Sequence, residues 1–528
     1  MSTHSRLDGS RRPDPDRTPS AGSPGADPSP GSAPAPPGDN GGRGYWPTVV
    51  AVASASMMLP FSVTGAAMAL PSMAAHLDSS VGTAQWMLNA FNITFAALPL
   101  AAGSIADRLG RRRVLLTGIA LVGGLSLLIA LAPSMAVVDV ARAIQGCGAA
   151  AVLASGAAVL AHSTSGRRRQ MAFGVLGTSF GTGLAIGPLV AGAMVEATGW
   201  RSVFLLVAAM SISAWLCATR APESRNPDQR ALDVAGLVTF TAGLACLSFG
   251  FVQAGASGWG APSTLLMLAS AAALVALFTV VEIRLADRAM FDVRLFRRPE
   301  FVAVVCQPFT VTLGFVVLLV YLPAYLQGVA GRTVLASGLL LLPMTAPVLI
   351  LPLVASHLAV RTSVRTVLTG ASALIVAGAL LLATLHSNDS WLELALPLLP
   401  FGAGVGLAFG VMDNAAVSTV PVENAGTAAG IFNTMRITGE SVAVSGAAAL
   451  LTTLTATRLS GSGLPSASAT RIAGQAIQGQ VADVHRTALA AGFTSAFHTL
   501  GLVLAALSTL GAVLTYLALA PHRAVTRH

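Results

Sequence analysis

The chain has 528 residues, 54% of them hydrophobic and only 10% charged, and its mean hydropathy is +0.71. Soluble chains carry about 25% charged residues, so this composition excludes an ordinary water-soluble fold and puts most of the chain in lipid. Every basic residue behind the net charge of +9 is arginine, and the arginines sit in short links between apolar runs. That distribution fits positive-inside topology and does not fit a nucleic-acid surface.

Residues 1–44 are rich in Pro, Gly, Ser, Asp and Arg, which predicts a disordered cytoplasmic tail. No basic region followed by an apolar core and a cleavage site is present, so the tail does not read as a signal peptide. Apolar runs near the ~20 residues of a membrane-spanning helix follow at 46–73, 85–106, 114–132, 136–160, 171–195, 202–218 and 233–254. Others follow at 262–282, 301–325, 334–357, 366–385, 392–416, 426–452 and 490–518, making about fourteen spans. An even number puts both termini on one side. Arginines concentrate in alternate links, at 111–113, 167–169, 220–225, 294–298 and 361–365, which makes that side cytoplasmic. The outer segment 456–488 is the exception. Its Ile472, Ile477, Val481 and Val484 predict an amphipathic helix lying in the interface. Cys147, Cys217, Cys246 and Cys306 all fall within apolar runs and read as reduced packing residues, without metal-ligand spacing.

Between spans two and three runs Gly103-Ser-Ile-Ala-Asp107-Arg108-Leu-Gly110-Arg111-Arg112-Arg113. Glycines serve a tight reversal of the chain, and Asp107 beside Arg108 and Arg111 suits an ion-pair latch that breaks when two helix bundles rock. The plainer alternative is a turn whose arginines only set topology. A weaker echo, Ser356 to Arg365, follows span ten without the acid or the glycines. It is what a parallel repeat of two six-helix halves would leave, provided spans seven and eight are inserted between them.

Span four carries Arg142 inside the hydrocarbon with Gln145 one turn on and Asp139 three residues back. A charge there costs at least ~2.5–3.5 kcal/mol, so Arg142 is a functional candidate, with a structural Asp139–Arg142 pair as the alternative. Span five reads Gly177-Thr-Ser-Phe-Gly181-Thr-Gly183-Leu-Ala-Ile-Gly187-Pro188-Leu-Val-Ala-Gly192. Glycines four apart admit a close neighbour and Pro188 removes a helical hydrogen bond, which suits a hinge or gasket between the halves.

The loop at Gly103–Arg113 is similar to that between the second and third helices of the major facilitator superfamily. The span-four Arg142 string resembles the superfamily motif implicated in proton coupling, and the Gly183, Gly187, Pro188, Gly192 string resembles the antiporter motif. Together with Ala69-Leu70-Pro71, Trp200-Arg201, Leu232-Asp233, Tyr325-Leu-Gln327 and Gly426-Thr-Ala428-Ala-Gly430-Ile-Phe-Asn433-Thr-Met-Arg436, these strings resemble the fourteen-helix drug:proton antiporters over about residues 46–518. The resemblance implies an all-α integral membrane protein of the plasma membrane with two six-helix bundles, at 45–218 and 301–518. Two inserted helices and their linkers would fill 219–300, and a cytoplasmic tail 519–528. It further implies a monomer that exchanges protons for amphipathic small molecules across the bilayer, with no cofactor and no nucleic-acid partner. One departure bears on coupling: the family's usual Asp in span one is Ser62 here, and its usual Asn is Ala67.

Attention therefore moves to Asp413 near the end of span twelve and to Glu440 in span thirteen, which shares a helix face with Arg436 four residues before it. A carboxyl that exchanges burial for solvent can load and release a proton. A self-neutralising Arg436–Glu440 pair and a solvated Asp413 at a helix end are the alternatives. Of these acids Glu440 ranks first and Asp413 second for the proton. The chain has no P-loop and no clustered His, Cys, Asp or Glu with catalytic spacing, so an ATP-driven pump and a membrane enzyme are disfavoured. An uptake symporter or uniporter, and a lipid-handling or non-transporting protein, remain as alternatives.

Overall fold

The computed structural model describes residues 45–79, 84, 86–225, 233–285, 297–328, 330–332, 334–386, 390–422, 425–477 and 486–519. The expected N-terminal tail and most of the C-terminal one lie outside these residues. The helices are α1 (Tyr45–His76), α2 (Trp86–Ala97), α3 (Pro99–Leu109), α4 (Arg111–Ala130), α5 (Met135–Ser163), α6 (Gly166–Thr198) and α7 (Arg201–Ala218). An intervening pair, α8 (Val234–Ser257) and α9 (Pro262–Leu285), leads to α10 (Pro299–Gly328), α11 (Val334–Leu340), α12 (Leu342–Arg361) and α13 (Val364–Leu381). The chain continues through α14 (Trp391–Phe409), α15 (Met412–Ser418), α16 (Ala425–Gly461), α17 (Ser466–Ile477) and α18 (Arg486–Ala518).

Thirteen of these helices are long and apolar enough to cross a membrane, and α2 with α3 forms a further span bent by 52°. The fourteen expected spans are therefore present. Three of them are broken where the sequence predicts one piece. Pro99 sits at the first position of α3, where its missing N–H and fixed φ let a helix begin but not continue from α2. Span ten is interrupted at Leu341 ahead of Pro343, and span twelve at Gly410–Val411. Capping marks other starts. Asp233 accepts from Gly236 N–H at 2.7 Å, and Ser390 and Glu393 form a reciprocal box that fixes α14.

Helix α1 packs on α6 and α7, α4 on α5 and α7, and α2 on α5, around a core that holds Phe91, Phe95, Leu115, Ile119 and Phe173. The second core joins α10, α12, α13, α14, α16 and α18 around Phe315, Tyr325, Phe401 and Phe497. The inserted pair packs on itself, and α8 leans on both α2 and α16, with Trp86 stacked on Phe249 at 5.5 Å. Outward-facing Leu265, Leu266, Leu277 and Ile283 leave α9 a lipid-facing surface. Helix α16, at 37 residues, spans roughly 55 Å and overruns a ~30 Å hydrocarbon core. Its far end carries α17. The expected interfacial helix thus packs on protein, burying Ala469, Ala473 and Ala476 against Ala456, Leu459 and Leu489, with Ile472 partly covered, while Ile477 joins the second core. Val481 and Val484 lie outside the described residues.

The glycines of α6 divide between two partners. A Cβ at Gly177 would strike the Phe409 carbonyl and one at Gly181 would strike Val348, both in the second group of helices. A Cβ at Gly183 would strike the Met57 carbonyl and one at Gly187 would strike Thr64 Oγ1, both in α1, whereas nothing lies within 4 Å at Gly192. The antiporter-like string therefore faces α1 and not the seam between halves, and Gly192 makes no close contact. The seam is built one to two turns earlier. Gly187→Leu should force α1 and α6 apart at an overpacking cost of about 1–3 kcal/mol and sharply lower transport, while Gly192→Ala should leave it unchanged. Thermal unfolding and transport of the two variants in one liposome preparation check this contrast.

Candidate functional site

Two sites take shape from the buried charges. The first is the link at Gly110, whose φ of +116° requires glycine for the reversal between α3 and α4. Gly103 has a different task. It lies inside α3, and a Cβ there would overlap the Gly426 carbonyl of α16. Asp107 is fully buried and forms an ion pair with Arg111 Nε at 2.8 Å. The same carboxylate accepts from Gly426 N–H at 3.2 Å, Thr427 N–H at 2.9 Å and Thr427 Oγ1 at 3.3 Å. Arg111 Nη2 donates onward to the Val422 carbonyl at 3.0 Å. An acid from one half thus satisfies the open first turn of a helix in the other half, where orphan N–H groups and the helix dipole favour negative charge.

Two expected latch members stand outside this contact. Arg108 is exposed and makes no described ion pair. The backbone N–H of Arg112 donates to Glu223 Oε1 at 3.1 Å, and Arg113 lies 3.7 Å from the same carboxylate. Glu223, in the segment after α7, thereby caps α4; nothing in the local sequence pattern distinguishes it. The seam is extended by Asn414 Nδ2, which donates to Gln170 Oε1, and by Gln170 Nε2, which donates to the Gly410 carbonyl at 3.3 Å.

The second site lies within the spans. Arg142 is fully buried with Nη1 donating to Gln145 Oε1 at 2.6 Å and to Ser62 Oγ at 3.2 Å, and with Nε donating to the Met87 carbonyl at 3.2 Å. Its guanidinium stacks 4.0 Å from the Phe91 ring centroid, and Gln145 passes the network on to Ser126 Oγ and the Val122 carbonyl. The expected Asp139–Arg142 pair does not form among the described residues, and Asp139 Oδ1 has no partner. Arg142 lies on the buried face of α5, whereas Asp139 sits on its half-exposed face. Ser62, where the resembled family carries an acid, instead meets the arginine directly.

Arg436 also differs from expectation. Its Nη1 lies 3.6 Å from Asp413 Oδ2 on α15, so Asp413 is a buried ion-pair member and not a solvated helix end. No described ion pair joins Arg436 to Glu440, which is half-buried one turn further on. Helical side chains lean toward the N-terminus, so Arg436 reaches back toward Asp413 and away from Glu440. An acid that follows its base by four residues is also the weaker orientation. The Arg436 guanidinium lies 4.5 Å from the Phe180 ring centroid, and Phe180 meets Phe409 edge-on at 6.0 Å. Leu153, Gly177, Phe180, Phe409, Asp413 and Arg436 line one pocket, with walls from both halves. The two phenylalanines were invisible as site residues because aromatic side chains in apolar spans carry no distinctive spacing.

Residues 50–444 match the Major Facilitator Superfamily. The chain is 30% identical over 403 residues to the multidrug resistance protein Stp of Mycobacterium tuberculosis, covering 75% of this chain and 74% of Stp. It is 32% identical over 413 residues to the puromycin resistance protein pur8 of Streptomyces alboniger, covering 76% of this chain and 80% of that one. The crystal structure of the human organic anion transporter MFSD10 superposes with a TM-score of 0.56 at 16% identity, covering 89% of this chain and 99% of that one.

Asp107→Asn keeps the shape of the seam and removes its charge. The expected result is normal insertion with turnover lower by about tenfold, the kinetic equivalent of ~1.4 kcal/mol. A cysteine introduced at Val422 should also react faster with a bulky thiol reagent in the Asp107→Asn background. Unchanged turnover and unchanged labelling would show that the charge does not hold the seam.

Proposed function

The chain belongs to the Major Facilitator Superfamily, and from that footing we propose that it is a proton-driven antiporter exporting amphipathic small molecules such as drugs or antibiotics. Members of this family are multi-pass transporters and not enzymes, and the chain is a plasma-membrane protein. The observation that carries the finer reading is the pocket between the halves, where Asp413 and Arg436 meet over Phe180 with Glu440 one turn on. The resistance proteins it is similar to support export as the direction. The tetracenomycin C resistance and export protein of Streptomyces glaucescens is a further relative, 29% identical over 401 residues.

In this scheme the contact of Asp107 and Arg111 with the start of α16 closes the arginine-rich side, which the positive-inside rule assigns to the cytoplasm. Rocking of the halves breaks that contact and opens the pocket to the cytoplasm. Arg142 acts as a positioning residue, because its donors hold α1, α2 and α5 in register through Ser62, Met87 and Gln145. Glu440 is the first candidate for the proton and Asp413 the second. Asp413 keeps Arg436 as its partner in this state, whereas Glu440 has no described ion pair. An acid whose surroundings differ between two states has the differential affinity that coupling requires. The transporter works as a monomer, each copy holding a complete pocket.

The test compares Glu440→Gln with Asp413→Asn in proteoliposomes under an imposed pH gradient. Glu440→Gln is expected to abolish accumulation against a gradient while downhill exchange continues. Asp413→Asn is expected to slow both. Wild-type accumulation by Glu440→Gln would show that Glu440 is structural.

A further inference from the structure

Arg436 is held on one side only. Asp413 approaches Nη1 at 3.6 Å without a hydrogen bond, while Nε and Nη2 are buried and have no acceptor. Those two atoms form one edge of the guanidinium, with parallel N–H groups spaced to match the two oxygens of a carboxylate. A buried donor without an acceptor is costly, so natural cores rarely leave one, and here both donors of a single edge are left. Around them the pocket offers two aromatic faces, Phe180 under the guanidinium and Phe409 edge-on to Phe180, with Phe315 behind the pocket edge-on to Phe409 at 6.5 Å. Arg142 also has one buried unpartnered donor, but its remaining donors are engaged and it lines no described pocket.

We infer that the inter-half pocket takes planar aromatic compounds bearing a carboxylate, with the acid on the Nε–Nη2 edge of Arg436 and the ring among Phe180 and Phe409. This deepens the antiporter reading by naming the substrate class of the same pocket. Asp413 does not exclude an anion, because it occupies the opposite atom of the guanidinium and already offsets part of its charge. Glu440 carries the same chemical group as the ligand and lies one turn from the edge. In this state Glu440 leaves that edge empty, so an external carboxylate would meet both donors unopposed. The pocket is small in this closed state and must widen as the halves separate.

The test uses the full chain purified into lipid nanodiscs at pH 7 with no proton gradient, and three matched probes: naphthoate, naphthamide and naphthylmethylammonium. Competition against labelled naphthoate is expected to rank the acid about tenfold or more above both others. Arg436→Gln should bring the acid-to-amide ratio to about one. Arg436→Lys keeps the charge but lacks the paired edge and should also lose most of the preference. A stronger affinity for the ammonium, binding of none of the probes, or an acid preference that survives in Arg436→Gln or stays complete in Arg436→Lys would each overturn the assignment. If neither variant folds, the wild-type ranking decides: acid above ammonium supports the assignment and the reverse order overturns it. Because binding is read without transport, a protein that ranks the probes as expected but moves nothing under a pH gradient would sink the antiporter reading and leave this one standing.

Discussion

The Asp107 carboxylate is a buried charge whose donors come from both halves of the molecule. It is fully buried, so it has given up water and must recover that loss from protein donors. Arg111 supplies one contact from within the same half, and the first turn of α16 supplies three from the other. Neither half can satisfy the carboxylate alone. Gly103 and Gly426 make the contact possible, because a Cβ at either position would fill the space in which backbone and carboxylate meet. A covalent or purely apolar joint would close the seam as well. An acid on a helix N-terminus has the further property that water can replace the lost donors when the seam opens, since the site lies at the end of the spans.

The two arginines inside the spans illustrate opposite solutions to one cost. A guanidinium at membrane depth is unfavourable by at least ~2.5–3.5 kcal/mol, and both residues recover part of this from a phenylalanine face. Arg142 recovers more through hydrogen bonds to α1, α2 and, by way of Gln145, α4, so it links four helices of one half together. Arg436 has only a loose pair with Asp413 across to α15. A residue that many helices share resists displacement, whereas one with a single long contact can change partners. The more fully hydrogen-bonded charge lies within a half and the less satisfied one between halves.

Hydropathy, arginine placement and the loop motif made the fourteen spans and the latch acid legible, because those signals are local in sequence. The breaks at Leu98, Leu341 and Gly410 were not, since an apolar run looks the same on either side of a kink. Partner choice was the larger gap. Periodicity placed Arg436 and Glu440 on one face, but side-chain direction along the helix sent Arg436 back to Asp413. The reverse order in Asp107 and Arg111, acid first, gave the pair that spacing suggested. Ser62 could be seen as a departure from a family pattern; only the fold showed that it faces Arg142. Contacts such as Gln170 with Asn414 join residues 244 apart and leave no trace in either neighbourhood.

Helix α6 connects these features. It runs unbroken for 33 residues with Pro188 inside it, yet its glycines change partner midway: Gly177 and Gly181 touch the second half, and Gly183 and Gly187 touch α1. Phe180, which carries the Arg436 guanidinium, lies at that changeover. The pocket therefore begins where α6 leaves the seam and joins its own bundle. A rigid helix committed to one half beyond this point and only resting on the other before it is what a pivot needs. A single helix thus ties the pocket wall at Phe180 to the seam contact at Gly177, three residues away.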